Sequence, residues 1–266
     1  MHSSGATAIR SPFLAAHAFI TVVASLTFQT PLIAKNEVPP SASEQMRIIA
    51  LLRQYAATYH EYDDIVYDRT EILVEKSSRS KKWHKDFTDT ATWMEHNGQS
   101  FHRTEGWNGK PKWKPGVRYG GTDLVKALAR EGTEFAWDRW EMRRGTRCAM
   151  LHYSIDEAHS RYVLLEPSRG QAIVPYQGSV CTDPEGGTIW YLSIDITQIP
   201  AQFRYVHEWD TIYYDQVTIG TAQHVVIVAD TQYAEDKDGT ILRLDYTFRN
   251  FHKFQADSSI TFDAPK

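Results

Sequence analysis

The chain has 266 residues, of which 42% are hydrophobic, 12% aromatic and 23% charged, and its net charge is −4. This composition excludes a disordered, collagen-like or low-complexity chain, and the negative charge argues against a nucleic-acid-binding protein. Two cysteines exclude a small disulfide-dense scaffold, and the length suits one large domain or two modest ones.

The first 34 residues predict an export segment. Arg10 is the one charged residue before Lys35, and an almost wholly apolar or small stretch runs from Phe13 to Val23. This order is typical of a secretory signal, and the alternative is a retained membrane anchor. We therefore expect a protein that is periplasmic or secreted, or membrane-anchored if the segment is uncleaved. The expected division of the chain is a signal or anchor over 1–34, a linker over 35–42 and one domain over 43–266.

An amphipathic helix of about four turns follows the linker. Ser43 is expected to cap it, and the helix is expected to end near His60. Its apolar residues recur at spacings of three or four, as an apolar stripe facing a core requires: Met46, Ile49, Leu52, Ala56 and Tyr59. A second, short helix is predicted between Thr122 and Gly132.

The rest of the chain alternates between polar and apolar residues with a period of two, which predicts strands. The predicted strands cover 62–76, 83–95, 101–107, 147–155, 161–166, 172–180, 188–196, 205–214, 224–229 and 241–248. Hairpin turns are predicted at 97–98, 108–109, 183–187 and 235–239, where Asn, Asp and Gly tolerate a tight turn.

These elements predict an α+β fold in which a single antiparallel sheet of about ten strands dominates. A flat sheet of that size tends to curl, and two helices cover only part of it. We therefore expect a strongly curved sheet, a half-barrel, closing over the N-terminal amphipathic helix and the short second helix.

No familiar catalytic motif occurs in the sequence, and the histidines lack the spacing of metal ligands. We expect no cofactor, no metal and no enzymatic activity.

Cys148 and Cys181 fall on neighbouring predicted strands. In an oxidising compartment they are expected either to form a disulfide or to pack as two free thiols. A bridge would close a loop of about 34 residues and stabilise the fold by about 3–4 kcal/mol. A third reading is a nucleophilic Cys148, because Arg143, Arg144 and Arg147 lie close to it in sequence.

The densest aromatic and cationic segment contains Trp137 and Trp140. These rings either line a ligand site, where apolar surface beside cationic groups would suit an amphiphile, or belong to the ordinary core. We treat both tryptophans as candidate ligand-lining residues.

Several segments resemble exported proteins of soil acidobacteria, and the layout resembles the lipoprotein-carrier fold of Gram-negative bacteria. The segments are Thr133–Trp140 with Arg144-Gly145, Tyr176-x-Gly178 to Asp183-Pro184, and Phe248–Phe254 with Ser259–Asp263. The resemblance implies a half-barrel over helices and an apolar ligand, and carriers of that fold act with an outer-membrane receptor. It assigns no functional residue.

The leading hypothesis is thus an exported, non-enzymatic protein that binds a lipid, a lipoprotein acyl chain or another amphiphile. An outer-membrane or envelope partner and no nucleic acid are expected. The alternatives are a carbohydrate- or peptidoglycan-binding protein, a structural envelope protein, and an enzyme using Cys148 or a carboxylate.

Overall fold

The computed structural model describes residues 38–60, 65–80, 82–96, 99–108, 121–143, 145–166 and 168–254. The predicted export segment over 1–34, the turn at 97–98, Gly109 of the turn at 108–109, and the segment Ser259–Asp263 lie outside these residues. No helix in the described part is long and apolar enough to span a membrane.

Two helices and twelve strands make up the described chain. The helices are α1 (Ala42–Thr58) and α2 (Gly121–Ala127). The strands are β1 (Ile65–Lys76), β2 (His84–His96), β3 (Gln99–Asn108), β4 (Thr133–Arg143), β5 (Thr146–Ile155), β6 (Val163–Glu166), β7 (Gly170–Ile173), β8 (Tyr176–Thr182), β9 (Ile189–Ile196), β10 (Tyr205–Ile219), β11 (Ala222–Asp236) and β12 (Ile241–Lys253).

Ten of these strands form one sheet, in the order β3-β2-β1-β12-β11-β10-β9-β8-β5-β4, and every neighbouring pair is antiparallel. Strands β6 and β7 form a separate two-stranded sheet. The predicted α+β class with a large antiparallel sheet and two helices is confirmed. Strands β3 and β4 are the two edges of an open sheet within the described residues, and the half-barrel curvature stays a prediction.

Helix α1 differs from its prediction at its start and on its buried face. Ser41, not Ser43, is the N-cap, because its Oγ accepts the N–H of Glu44 at 3.2 Å. The fully buried residues are Ile48, Leu52 and Ala56, whose spacing of four keeps them on one stripe, whereas Met46 is 65% exposed.

One predicted strand, over 172–180, is in fact two. Strand β7 ends at Ile173 and pairs with β6, whereas β8 begins at Tyr176 and joins the large sheet. Pro175 lies between them and lacks the N–H that a continuous strand would need for its ladder.

The predicted turns at 183–187 and 235–239 are confirmed. In the first, Asp183 N–H donates to the Thr188 carbonyl at 2.8 Å, and in the second, Asp236 N–H donates to the Thr240 carbonyl at 2.8 Å. Strands β10 and β11 extend well beyond the segments predicted for them, to Ile219 and from Ala222, and so form a long hairpin.

The main hydrophobic core lies between the helices and one part of the sheet. Helix α1 contributes Ile48 and Leu52, and the α2 segment contributes Val125 and Leu128, all of them fully buried. They pack with apolar residues of β4, β5, β8, β9, β10 and β11. We call this face of the sheet the core side and the opposite face the outer side.

Candidate functional site

One row of directly paired residues crosses the core side of the sheet from β2 to β4. Each residue of the row is the direct cross-strand partner of the next one, so all of their side chains lie on the same face of the sheet. The row, called the core-side row below, is Asp89, Glu71, Tyr246, Asp230, Ile212, Leu192, Val180, Leu151 and Trp137.

The core-side row changes in character halfway along. From Ile212 to Trp137 it is apolar, and these residues pack in the core beneath the helices. On the other side of Ile212, three of the four residues are carboxylates. A single sheet face therefore offers a polar section directly beside an apolar one.

The carboxylates at the far end of the row are deeply buried. Glu71 is 1% exposed and Asp89 is 8% exposed, and the two are direct cross-strand partners. Arg69 lies beside them: its Nη2 is 3.3 Å from Glu71 Oε2, and its guanidinium lies 3.8 Å from the centre of the Trp93 ring. Arg69 thus pairs with one carboxylate and stacks on an aromatic face.

Asp89 is the least satisfied member of this group. Its Oδ1 is buried and has no hydrogen-bond partner within the described structure. Buried carboxylates are normally paired or hydrogen-bonded because transfer of a charge out of water is costly. Asp89 is therefore an enclosed hydrogen-bond acceptor on the core side of the sheet.

The middle of the polar section is more accessible. Asp230 and Gln232 on β11 are both half-buried, and Gln232 Nε2 donates to Asp230 Oδ2 at 2.6 Å. Gln232 is the cross-strand partner of Asp210 on β10, which is also half-buried. Asp210 and Asp230 are therefore less enclosed as residues than Glu71 and Asp89, although Asp230 Oδ1 is itself buried.

Asp210 also affects the adjoining apolar section through Tyr153. Burial raises the pKa of the Tyr153 hydroxyl well above its usual value, and the charges of neighbours including Asp210 add to the effect. The hydroxyl therefore remains protonated and donates to the Ser193 carbonyl at 2.8 Å. The negative charge of Asp210 in the polar section thus acts on a hydroxyl group of the hydrophobic core.

The described residues contain no group of three or more His, Cys, Asp or Glu side chains arranged to hold a metal ion. The carboxylates are spread along the sheet, because adjacent strands lie about 4.8 Å apart and the row from Asp89 to Asp230 spans three such steps.

Trp137 and Trp140 both pack against the main core, but they differ in exposure. Trp140 is 8% exposed, its indole N–H donates to the Val38 carbonyl at 3.3 Å, and Arg147 lies 3.7 Å from the ring centre. Trp137 is half-buried and meets Trp140 edge to face, with ring centres 4.8 Å apart. Trp137 is therefore the more accessible ring, and the ligand-lining role of both stays a prediction.

Cys148 and Cys181 lie on the outer side of β5 and β8 and are fully buried. Their Cα atoms are 5.7 Å apart, a separation that a disulfide can span. Two of the neighbouring arginines have other partners, since Arg143 pairs with Glu141 at 2.7 Å and Arg147 lies over Trp140. The bridge in the folded protein stays a prediction that thiol counting can test.

An aromatic group on the outer side of β10 and β11 was not predicted from the sequence. The rings of Trp209 and Tyr233 are stacked with centres 4.7 Å apart, and His207 lies 4.5 Å from Trp209. His207 also contacts Asp195 through Nε2. The stacking of Trp209 on Tyr233 joins β10 to β11, whereas the contact of His207 with Trp209 lies within β10, so this group stabilises the long hairpin.

No family model matches the chain, and no curated protein matches it. Among solved structures, it is similar to a domain named for outer membrane lipoprotein sorting from Vibrio parahaemolyticus, with 9% identity, a TM-score of 0.35, and coverage of 81% of this chain and 95% of that one.

It is also similar to a LolA superfamily protein from Nitrosomonas europaea, with 10% identity, a TM-score of 0.28, and coverage of 81% and 94%. A DUF1329 family protein from Desulfovibrio piger is 8% identical, with a TM-score of 0.29 and coverage of 84% and 96%. Two of these three names refer to the lipoprotein-carrier group whose fold the predicted layout resembles, and at such TM-scores the likeness assigns no ligand to this chain.

Proposed function

We propose that this chain is an exported, non-enzymatic protein that binds an amphiphile along the core side of its sheet. The observation that carries the proposal is the core-side row, which passes from carboxylates to alkyl side chains without leaving one face. An amphiphile has the same division, with a polar head beside an apolar chain.

The apolar chain of the ligand would lie against half-buried aromatic rings. Phe248 packs against three of the hydrophobic clusters, among them the main core, and is the cross-strand partner of Arg69. Trp137 packs against the same core at the end of the core-side row. Half-buried rings next to a packed core offer apolar area that a ligand can remove from water.

The polar head would lie at the carboxylate section. A buried charge inside an otherwise apolar face lowers stability unless it is paired, so the presence of Asp89 on this face is better explained by binding than by folding. Asp89 is enclosed, and its Oδ1 accepts no hydrogen bond within the described structure.

Native mass spectrometry tests the proposal. The full chain would be expressed in a Gram-negative host, purified without detergent, and its bound molecules extracted and identified. The proposal expects a reproducible added mass that is identified as a lipid or another amphiphile. A protein that carries no added mass, and gains none on incubation with total membrane lipids, would contradict the proposal. That result would favour glycan binding or a structural role instead.

A further inference from the structure

Asp89 is a buried hydrogen-bond acceptor at one end of the polar section of the core side. The residue is 8% exposed, and its Oδ1 accepts no hydrogen bond within the described structure. A buried oxygen in this state lowers stability, because it has lost its contacts with water and gained none in exchange. A ligand group that donates an N–H or O–H to Asp89 would recover this loss on binding.

Gln232 is a second, independent acceptor in the same section. Its Nε2 donates to Asp230 Oδ2 at 2.6 Å, and this contact with a carboxylate oxygen fixes which end of the amide is the nitrogen. The other end, Oε1, is buried and accepts no hydrogen bond in the described part of the chain. Gln232 lies two residues after Asp230 on β11, so its side chain is also on the core side.

The two acceptors lie at different places on the sheet. Asp89 is on β2 and Gln232 is on β11, and strands β1 and β12 lie between them. Adjacent strands are about 4.8 Å apart, so three such steps separate the two acceptors. A head group with a single donor atom can serve one of them, whereas a head group with donors along its length can serve both.

The two acceptors differ in charge and share the need for a donor. Asp89 offers a carboxyl oxygen and Gln232 a neutral amide oxygen, and a hydroxyl group donates to either kind. Carboxylate and phosphodiester head groups consist of acceptors, so they would place oxygen against oxygen here. The pair of sites therefore favours a ligand with several O–H groups.

We infer that the head group of the bound amphiphile is an uncharged sugar, whose hydroxyls donate to Asp89 Oδ1 and Gln232 Oε1. This inference rests on the proposed function and names the chemistry of its ligand. A sugar carries hydroxyls around its whole ring, so one head group of one or two rings presents donors in several directions. Its alkyl chain would lie on the apolar section of the same face.

Decyl maltoside and a methyl-capped decyl oligo(ethylene glycol) ether test the inference. Both have the same alkyl chain and an uncharged head group rich in oxygen, but the ether has no O–H donor. Each would be titrated into the full chain by calorimetry at neutral pH, below its micelle concentration. We expect decyl maltoside to bind at least about tenfold more tightly, because hydrogen bonds to two buried acceptors account for a difference of that size.

Decanoate and decylammonium extend the comparison to charged head groups on the same alkyl chain. Decanoate offers acceptors alone, and decylammonium has its donors on a single nitrogen. We expect both to bind more weakly than decyl maltoside.

The substitution Asp89→Leu nearly keeps the size of the side chain and removes its acceptors. It should reduce the affinity for decyl maltoside by about tenfold and leave the affinity for the capped ether unchanged. Asp86→Leu, three residues earlier on the same strand, is the matched control and should change neither affinity. The comparison of head groups uses the unsubstituted protein, so it stands whether or not the variant folds.

The outcomes separate the two proposals. If the capped ether, decanoate or decylammonium binds as tightly as decyl maltoside, the sugar inference is overturned and amphiphile binding stands. The same holds if a folded Asp89→Leu variant keeps the full preference for decyl maltoside. If none of the four amphiphiles binds, the proposed function is overturned together with the inference.

Discussion

At the scale of single residues, the carboxylates of the core-side row could not have been found from sequence. The segment 62–76 reads as two apolar alternations, around Ile65 and Val74, separated by a polar centre. In the structure, every second residue of β1 faces the core side through the polar segment as well, so Arg69 and Glu71 lie on the same face as Tyr67 and Leu73. Charged residues in a strand are normally exposed, so alternation alone assigns them to the solvent side.

The substitution Asp89→Asn should stabilise the unliganded protein. It removes a buried charge that lies opposite Glu71 and has an unsatisfied oxygen. We expect a gain of roughly 1 kcal/mol, which corresponds to about 2–4 °C in Tm. Thermal unfolding followed by circular dichroism measures it, with Asp86→Asn as the control. A lower Tm for Asp89→Asn would show that the carboxylate has a structural partner.

Trp137 and Trp140 should respond differently to substitution by alanine. Trp140→Ala removes a ring that is 8% exposed and should cost about 3–5 kcal/mol of stability. Trp137→Ala removes a half-buried ring, so it should cost less stability and should reduce the amount of co-purified amphiphile. Chemical denaturation and lipid extraction on both variants make the comparison. Unchanged amphiphile content in Trp137→Ala would assign that ring to the core alone.

At the scale of elements, the turns were predictable and the contacts between elements were not. The turn at 183–187 was evident from its Asp, Pro and Gly residues. Its packing against helix α1 was not: Arg47 Nη2 donates to the Pro184 carbonyl at 3.0 Å, and a Cβ on Gly187 would lie 2.3 Å from the Leu51 carbonyl oxygen. Likewise, the helix was predictable from its periodicity, but its buried stripe through Ile48 depended on where the sheet lies.

Gly187→Ala should separate helix α1 from this turn. Gly187 has φ of +74° and a helix carbonyl in the space of its missing side chain, so we expect a loss of about 3 kcal/mol or more. Gly220→Ala is the matched control, since Gly220 has φ of +64° with open space around it, and should cost about 1 kcal/mol. Urea denaturation compares the two. Equal losses would mean that the contact with Leu51 is unimportant.

At the scale of the whole molecule, most of the sheet followed from local patterns, because each hairpin strand pairs with its neighbour in sequence. The pairing of β1 with β12 and of β5 with β8 did not follow, since these strands are distant in sequence and their pairing depends on the complete sheet. For the same reason, the core-side row becomes visible only when all of its strands are in register.

The predicted bridge between Cys148 and Cys181 belongs to this scale because it would join β5 to β8 across the two-stranded β6–β7 insertion. With a sequence separation of 33, a disulfide should stabilise the protein by about 3–4 kcal/mol. Thiol counting under denaturing, non-reducing conditions should give no free thiol, and a reductant should lower Tm. Two free thiols would contradict the bridge, and the absence of any free thiol would exclude Cys148 as a nucleophile.

The most direct test of the central claim is to locate a bound alkyl chain on the protein. An uncharged alkyl glycoside with a diazirine in its chain would be photolysed with the full chain, and the labelled residues mapped by peptide mass spectrometry. The account predicts saturable labelling at core-side rings such as Phe248 and Trp137. Labelling confined to outer-side residues such as Trp209 and Tyr233, or labelling that does not saturate, would contradict it.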